Sequence, residues 1–190
     1  MRIHSVGRAV TLRRFVLLAS VLACGLGGSQ AFAASQGTLG ATSTGSVTIT
    51  ASVPTRARIT GLTDIAFTNQ DPSVAASSAQ NLCVWSNTAT KAYTITATGN
   101  GAASAFTLSN GSNTVPYSVA WAASSGQTSG SALTAGTASA SLTSTAADQI
   151  CASGPAASAS LIVGIATSDL GTMSAGSSYT GSLTLLVTPQ

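Results

Sequence analysis

The stretch TGSVTITASVP, residues 44–54, alternates apolar and polar side chains. The apolar side chains are Val47, Ile49, Ala51 and Val53, and threonine or serine stands between them. Because successive side chains of a β-strand point to opposite faces, this alternation predicts a strand with one buried face. The pattern leaves open whether that face is buried in the chain's own core or in another molecule.

The residues before this stretch predict an export signal over residues 1–33. An arginine-rich start precedes the apolar run FVLLASVLACGLGG, and a small-x-small cleavage site, AFA, ends at Ala33. This order is typical of a secretory signal peptide, and the apolar run is too short and glycine-rich for a membrane span. A twin-arginine signal at Arg13 and Arg14, or acylation at Cys24, fits the neighbouring residues less well. We therefore expect export into the periplasm by the general route.

Removal of the signal reverses the charge of the chain. The whole sequence has 7 basic and 4 acidic residues, and four of the arginines lie before Ala33. The 157 residues that remain, of 190, are enough for one domain, and they carry a net charge of −1. Such a chain has no basic patch for a phosphate backbone, so we expect no nucleic-acid partner.

Catalysis is disfavoured by the residues that are missing. The sequence has no glutamate, and its one histidine, His4, lies in the signal. Nucleophilic catalysis of the Ser-His-Asp or Cys-His type needs a histidine, and zinc sites lose their commonest ligand without one. The four aspartates are scattered, and the chain has no glycine-rich phosphate loop. We expect no enzyme activity, no catalytic or metal-binding residue, and no cofactor.

Two cysteines follow the signal, Cys83 and Cys151. In an exported chain an even pair predicts one disulfide, and two separate buried thiols fit an oxidising compartment poorly. We expect the disulfide to be structural, because nothing near either cysteine in the sequence lowers a thiol pKa.

The rest of the chain consists of short segments with strand composition, separated by Gly, Asn, Ser and Pro. The segments are RARITGL (56–62), DIAFT (64–68), NLCVWS (81–86), KAYTITAT (91–98), AFTLSN (105–110), TVPYSVAW (114–121), SASLIVGIA (158–166) and YTGSLTLLVTP (179–189). Residues 69–80 are predicted as a polar loop. Residues 122–147 are predicted as weak strands and loops, with Leu133 and Leu142 in the core. No segment keeps a helical period, so the sequence predicts an all-β sandwich.

The order of several motifs resembles the chaperone–usher pilins of bacteria. The motifs are SVTITASVP, CVWSNTATKAYTITATG, FTLSNG followed by VPYSVAW, CASG, and the ending AGSSYTGSLTLLVTP. The sequence is most similar to the archaic branch, whose subunits carry the spore coat protein U domain, and to the colonisation-factor-antigen branch. It departs from many archaic pilins at VPTRARITGL, residues 53–62, where those proteins have a cysteine soon after the donor segment.

The resemblance implies an immunoglobulin-like antiparallel β-sandwich that lacks its last strand and is completed by a donor strand from another subunit. It implies a periplasmic chaperone, an outer-membrane usher and neighbouring pilin subunits as partners. It also implies a place in a surface pilus or fimbria that supports adhesion or biofilm formation. Residues 34–54 would be the donor extension and residues 55–190 the pilin domain. The donor side chains would be Val47, Ile49, Ala51 and Val53, and the acceptor groove would include Tyr179, Leu183, Leu185 and Val187.

Two alternatives remain open at the level of the sequence. Residues 44–54 would be an internal first strand if the sandwich is closed. The chain would then be a monomeric secreted module that binds carbohydrate or a host surface. Such a module needs an exposed aromatic platform, and Trp121, beside the loop AASSGQTSG, is the best candidate for one. Because Trp121 ends an alternating strand segment, we nevertheless expect it to pack in the core.

Overall fold

The computed structural model describes residues 33–190 of the chain. The predicted signal peptide, apart from Ala33, therefore lies outside the described residues. The chain divides into two compact units, Met1–Ala51 and Ser52–Gln190. Within the described part of the chain, no helix is both long enough and apolar enough to cross a membrane.

The described part of the first unit is exposed and contains no strand. Ser35 and Ser46 form an isolated bridge in which the N–H of each donates to the carbonyl of the other, at 2.9 Å in both cases. The alternation of residues 44–54 thus does not produce a strand in this conformation. A strand requires the edge of a partner, and a single pair of this size is marginal in water.

The regular secondary structure of the second unit is almost entirely β-strand. The strands are β1 (Ala57–Thr60), β2 (Ala76–Ser86), β3 (Ala92–Gly99), β4 (Thr107–Ser109), β5 (Thr114–Pro116), β6 (Ser118–Ala122), β7 (Ser131–Ala132), β8 (Leu142–Thr143), β9 (Ala159–Ile165) and β10 (Leu183–Pro189). A 3-10 turn spans Ala102–Ser104, and one short helix, α1, spans Thr167–Leu170.

The strands form antiparallel sheets. One sheet has the order β1-β2-β9-β6-β7, a second has the order β10-β3-β8, and β4 pairs with β5. Consecutive strands β2 and β3 lie in different sheets, so the chain crosses between the layers at residues 87–91. The prediction of an all-β, antiparallel fold is confirmed.

The two sheets share one hydrophobic core. In β3 the alternate side chains Tyr93, Ile95 and Ala97 are fully buried, and they pack in one cluster with Leu82 and Val84 of β2. This is the arrangement that period-2 alternation predicts when each sheet has one apolar face. Leu133 and Leu142 pack against the same cluster, as predicted.

Trp121 belongs to this core and is only 2% exposed. Its indole Nε1–H donates a hydrogen bond to the hydroxyl oxygen of Tyr93 at 3.2 Å. Burial raises the pKa of Tyr93, and the bond from Trp121 partly offsets that shift. The expectation that Trp121 packs in the core is confirmed, and the alternative of an exposed platform for a sugar ring is not met.

Two strand boundaries differ from those predicted, and in both cases distant pairing explains the difference. The predicted loop 69–80 contains the first half of β2, because Ala76 pairs with Ile165 of β9. The predicted strand 114–121 divides at Tyr117, since β5 pairs with β4 while β6 pairs with β9.

Cys83 and Cys151 are joined in a disulfide, the pairing expected from the sequence. Both are buried and pack with Ala146 and Trp85 in a small second cluster. The bond ties the second half of β2 to the loop that precedes β9.

Candidate functional site

The last strand, β10, is an edge strand with one open side. It pairs with β3 from Leu183 opposite Gly99 to Pro189 opposite Tyr93. Within residues 33–190, no strand pairs with the other side of β10. Because alternate residues of an edge strand direct their N–H and C=O groups away from the sheet, this side presents backbone groups free for a further strand.

A second unpaired segment, residues 62–68, lies across a groove from β10. The Thr63 N–H donates to the Gln80 side-chain oxygen at 2.8 Å, and the Gln80 amide donates back to the Thr63 carbonyl at 3.2 Å. Ile65 and Phe67 are half-buried against the core, while the residues between them are exposed. The prediction of a strand over 64–68 is therefore wrong, although its alternation is real. Within the described chain, residues 64–67 have no backbone hydrogen-bond partner.

The groove between these segments has a volume of about 1190 Å³. It extends along residues 62–70 on one side and residues 173–183 on the other, and nine residues of extended chain span roughly 30 Å. Its apolar lining comes from both sheets and from α1: Leu108, Tyr117, Leu161, Val163, Ile165, Leu170, Met173, Leu183 and Leu185. The length and the apolar lining suit an extended peptide, and the volume exceeds that of usual small-molecule pockets.

The predicted acceptor residues divide between the groove and the core. Tyr179, Leu183 and Leu185 line the groove. Val187 does not line it and instead packs, half-buried, against the core. Strand β10 begins at Leu183, four residues later than predicted, because Thr180 pairs with Ser109 rather than with β3.

The sequence did not single out most of the groove lining. Leu161, Val163 and Ile165 lie in a central strand, and Leu170 and Met173 follow it, so each has the pattern of an ordinary core residue. Leu161, Val163, Ile165 and Leu170 are only 2–6% exposed, so they form the floor of the groove and part of the core at the same time. The local sequence carries no signal that separates them from core residues that do not line the groove.

The groove wall is nearly free of charge. Of the residues that line it, Asp64 on the rim carries a carboxylate. The Tyr117 hydroxyl donates to the Ser182 carbonyl at 3.3 Å, and burial raises the pKa of Tyr117. The Ser174 N–H donates to the Tyr179 hydroxyl oxygen at 3.0 Å and lowers the pKa of Tyr179. Such a surface binds apolar side chains and backbone groups.

The predicted donor side chains are exposed to solvent. Val47, Ile49 and Val53 are 71%, 87% and 79% exposed, and Ala51 is exposed as well. These side chains alternate with polar ones along the segment, and no other part of the described chain covers them. Across residues 33–190, no three His, Cys, Asp or Glu side chains come together as metal ligands would.

Comparison with known proteins gave matches to solved structures alone. No protein-family model matches the chain, and no curated protein matches it. One similar structure is a chaperone–tip adhesin complex of CFA/I fimbriae biogenesis, with 14% identity, a TM-score of 0.46, and coverage of 72% of this chain and 41% of that one. Another is the CsuC–CsuE chaperone–tip adhesion subunit complex of the archaic Csu pili of Acinetobacter baumannii, with 19% identity, a TM-score of 0.38, and coverage of 72% and 40%. The chain therefore spans about two fifths of the length of the structures that it matches.

Proposed function

We propose that this protein is a structural subunit of a surface pilus of the chaperone–usher type, assembled by donor-strand exchange. In this assembly residues 44–54 of one subunit fill the groove of another subunit. The observation that carries the proposal is the groove itself, which has an apolar lining and is bounded by the open side of β10 and by residues 64–67, whose backbone is unpaired in the described chain.

The backbone of the groove favours a strand as its occupant. A strand placed beside β10 would complete the ladder along its open edge, and its other side would face residues 64–67. This is strand addition, in which backbone hydrogen bonds supply affinity and the alternate side chains supply specificity. Each ladder bond contributes about 1 kcal/mol net.

The exposed side chains of the N-terminal extension supply the matching apolar face. Burial of Val47, Ile49 and Val53 would stabilise the complex by at most roughly 1.5–3 kcal/mol each, before the cost of ordering the extension. A spacing of two residues is what a strand needs to direct all of them into the groove. The subunit would require a periplasmic chaperone before assembly, since an open apolar edge promotes aggregation. An outer-membrane usher would then deliver it to the cell surface.

The test uses the full chain with Ile49→Asp, which cannot donate its own strand, and a synthetic peptide of residues 44–54. At a peptide concentration of about 100 times Kd, the peptide should stabilise the chain by about 2.7 kcal/mol and raise its melting temperature. The matched control is the same peptide with Ile49→Asp, which should leave the melting temperature unchanged. An unaltered melt with the natural peptide would mean that the groove does not accept this segment.

A further inference from the structure

The basic residues of the described chain lie together at one end of the sandwich. The backbone N–H of Arg56 donates to the side-chain oxygen of Asn87, just after β2, at 2.6 Å. Arg58 lies in β1 opposite Trp85. Lys91 immediately precedes β3, and its Nζ donates to the Ala146 carbonyl at 3.0 Å. We name Arg56, Arg58 and Lys91 the basic pole. The two arginines are exposed.

Two of the four aspartates lie at the opposite end. Asp71 is in the turn before β2, and Asp169 is in α1, which follows β9. The first residue of β2, Ala76, pairs with the last residue of β9, Ile165, so both aspartates are at the same end of that sheet. We name Asp71 and Asp169 the acidic pole.

Of the other two aspartates, Asp64 stands on the groove rim. Asp148 lies at the basic end, because its loop contains Ala146, which Lys91 contacts, and Cys151, which is bonded to Cys83. In the described chain, three basic residues thus stand with one aspartate at one end, and Asp71 and Asp169 stand without a basic residue at the other.

Strand β10 connects the two poles. Its last residue, Pro189, pairs with Tyr93 next to Lys91, at the basic pole. Its first residue, Leu183, lies at the end where Pro72 and Leu170 line the groove, beside Asp71 and Asp169. The groove therefore opens toward the acidic pole.

This inference rests on the proposed function and concerns the contact between consecutive copies. We propose that the basic pole of each subunit meets the acidic pole of the next copy of the same chain, with Arg56 and Arg58 facing Asp71 and Asp169. The donor segment ends only two residues before Arg56. Wherever the segment leaves the groove of the acceptor, it brings both arginines to that end.

The direction of the donor strand decides which charges meet. A donor antiparallel to β10 leaves the groove at Leu183, so its arginines face the acidic pole. A donor parallel to β10 leaves at Pro189, so its arginines face the acceptor's own arginines and Lys91. Arg56 follows Val53 by three positions, which is roughly 10 Å of extended chain. This distance is close to the Debye length at physiological salt. Attraction therefore favours the antiparallel direction and repulsion disfavours the parallel one.

Exposed charges of this kind act on the rate of association more than on affinity. Isolated surface ion pairs contribute little to binding, while complementary potentials accelerate the encounter in a salt-dependent way. The charge separation thus gives each incoming donor strand a preferred direction in the groove, with its arginines at the acidic pole.

The test measures how fast two labelled peptides of residues 44–58 bind the full chain carrying Ile49→Asp. One peptide has the natural arginines, and the other has Arg56→Glu and Arg58→Glu. At about 0.01 M salt the natural peptide should bind at least threefold faster, and the difference should disappear toward about 1 M, where the Debye length falls to about 3 Å. Acceptor variants Asp71→Asn and Asp169→Asn, which keep the side-chain shape, should remove the advantage.

The possible outcomes separate this inference from the proposed function. Equal rates for both peptides at every salt concentration would overturn the contact between opposite poles and leave strand exchange intact. Faster binding of the glutamate peptide would overturn it as well, because residues 56 and 58 of the donor would then lie at the basic pole. If neither peptide binds, strand exchange fails and the contact between poles fails with it.

Discussion

At the scale of single residues, the loop beside the disulfide shows how one carboxylate organises a segment without regular structure. The Asp148 side chain accepts hydrogen bonds from the N–H groups of Ile150 at 2.9 Å and Ala152 at 3.0 Å, and from that of Ser153. The bonds from Ile150 and Ser153 are the main reason that the pKa of Asp148 lies well below its usual range. The loop surrounds Cys151, so the carboxylate supports the segment that carries the disulfide.

We expect Asp148→Ala to lower the melting temperature at pH 7 and to have a smaller effect in acid. A carboxyl whose pKa is lowered by folding stabilises the fold fully above its unfolded pKa, near 3.8. This contribution begins to decrease as the pH falls below that value and is lost only as the pH falls through the much lower pKa of the folded state. Thermal melts of variant and wild type at pH 7 and pH 3 provide the measurement, and Asp64→Ala, an exposed carboxylate outside the loop, is the control. A difference in melting temperature that stays constant between these pH values would contradict the assigned role.

At the scale of elements, alternation alone does not make a strand. Both 44–54 and 64–68 alternate as strands do, and neither joins a sheet in the described chain; 44–54 makes only the isolated bridge of Ser46 with Ser35. Residues 92–99 alternate in the same way and form β3, because β10 and β8 lie on its two sides. The availability of a neighbouring edge is therefore what separates a strand from an extended segment.

We expect Ile49→Asp to stop assembly after the mutant subunit while leaving its complex with a chaperone folded. An aspartate at this position would have to enter the apolar groove, where a buried unpaired charge is costly. Thr50→Asp introduces the same charge on the opposite face of the segment and should still assemble, as polymer length measured by electron microscopy would show. Should Ile49→Asp unfold the subunit itself, the strand belongs to the chain's own core.

At the scale of the whole molecule, the disulfide closes a large part of the sandwich. Cys83 and Cys151 are 68 residues apart in sequence, and the loop between them contains strands from all three sheets. Its closure restricts the unfolded chain more than any local contact does.

We expect the double variant Cys83→Ala and Cys151→Ala to lose about 4 kcal/mol of unfolding free energy, by the chain-entropy estimate for a loop of this length. That is a large share of the 5–15 kcal/mol typical of a domain. Denaturant unfolding of the variant and of the oxidised wild type gives the difference. The reduced wild type serves as the control and should resemble the variant. A loss below about 1 kcal/mol would show that the bond adds little to stability.

The sequence alone determined the properties that depend on neighbouring residues. Period-2 alternation and the lack of helical segments specified an all-β chain, and they placed Tyr93, Ile95 and Ala97 on a buried face. Two cysteines after a predicted export signal were enough to indicate their pairing. Tyr179, Leu183 and Leu185, which line the groove, were named because the segment 179–189 resembles the last segment of pilins.

The tertiary structure alone decided which edges are paired and which apolar residues line the groove. Leu161 and Ile165 reach the groove although they are only 2% exposed, and Val187, which is half-buried, does not line it; all three have the same local pattern. Trp121 is buried because β6 lies between β9 and β7, a neighbourhood set by segments distant in sequence. Local periodicity fixes the direction in which a side chain points, while long-range strand pairing fixes what it meets there.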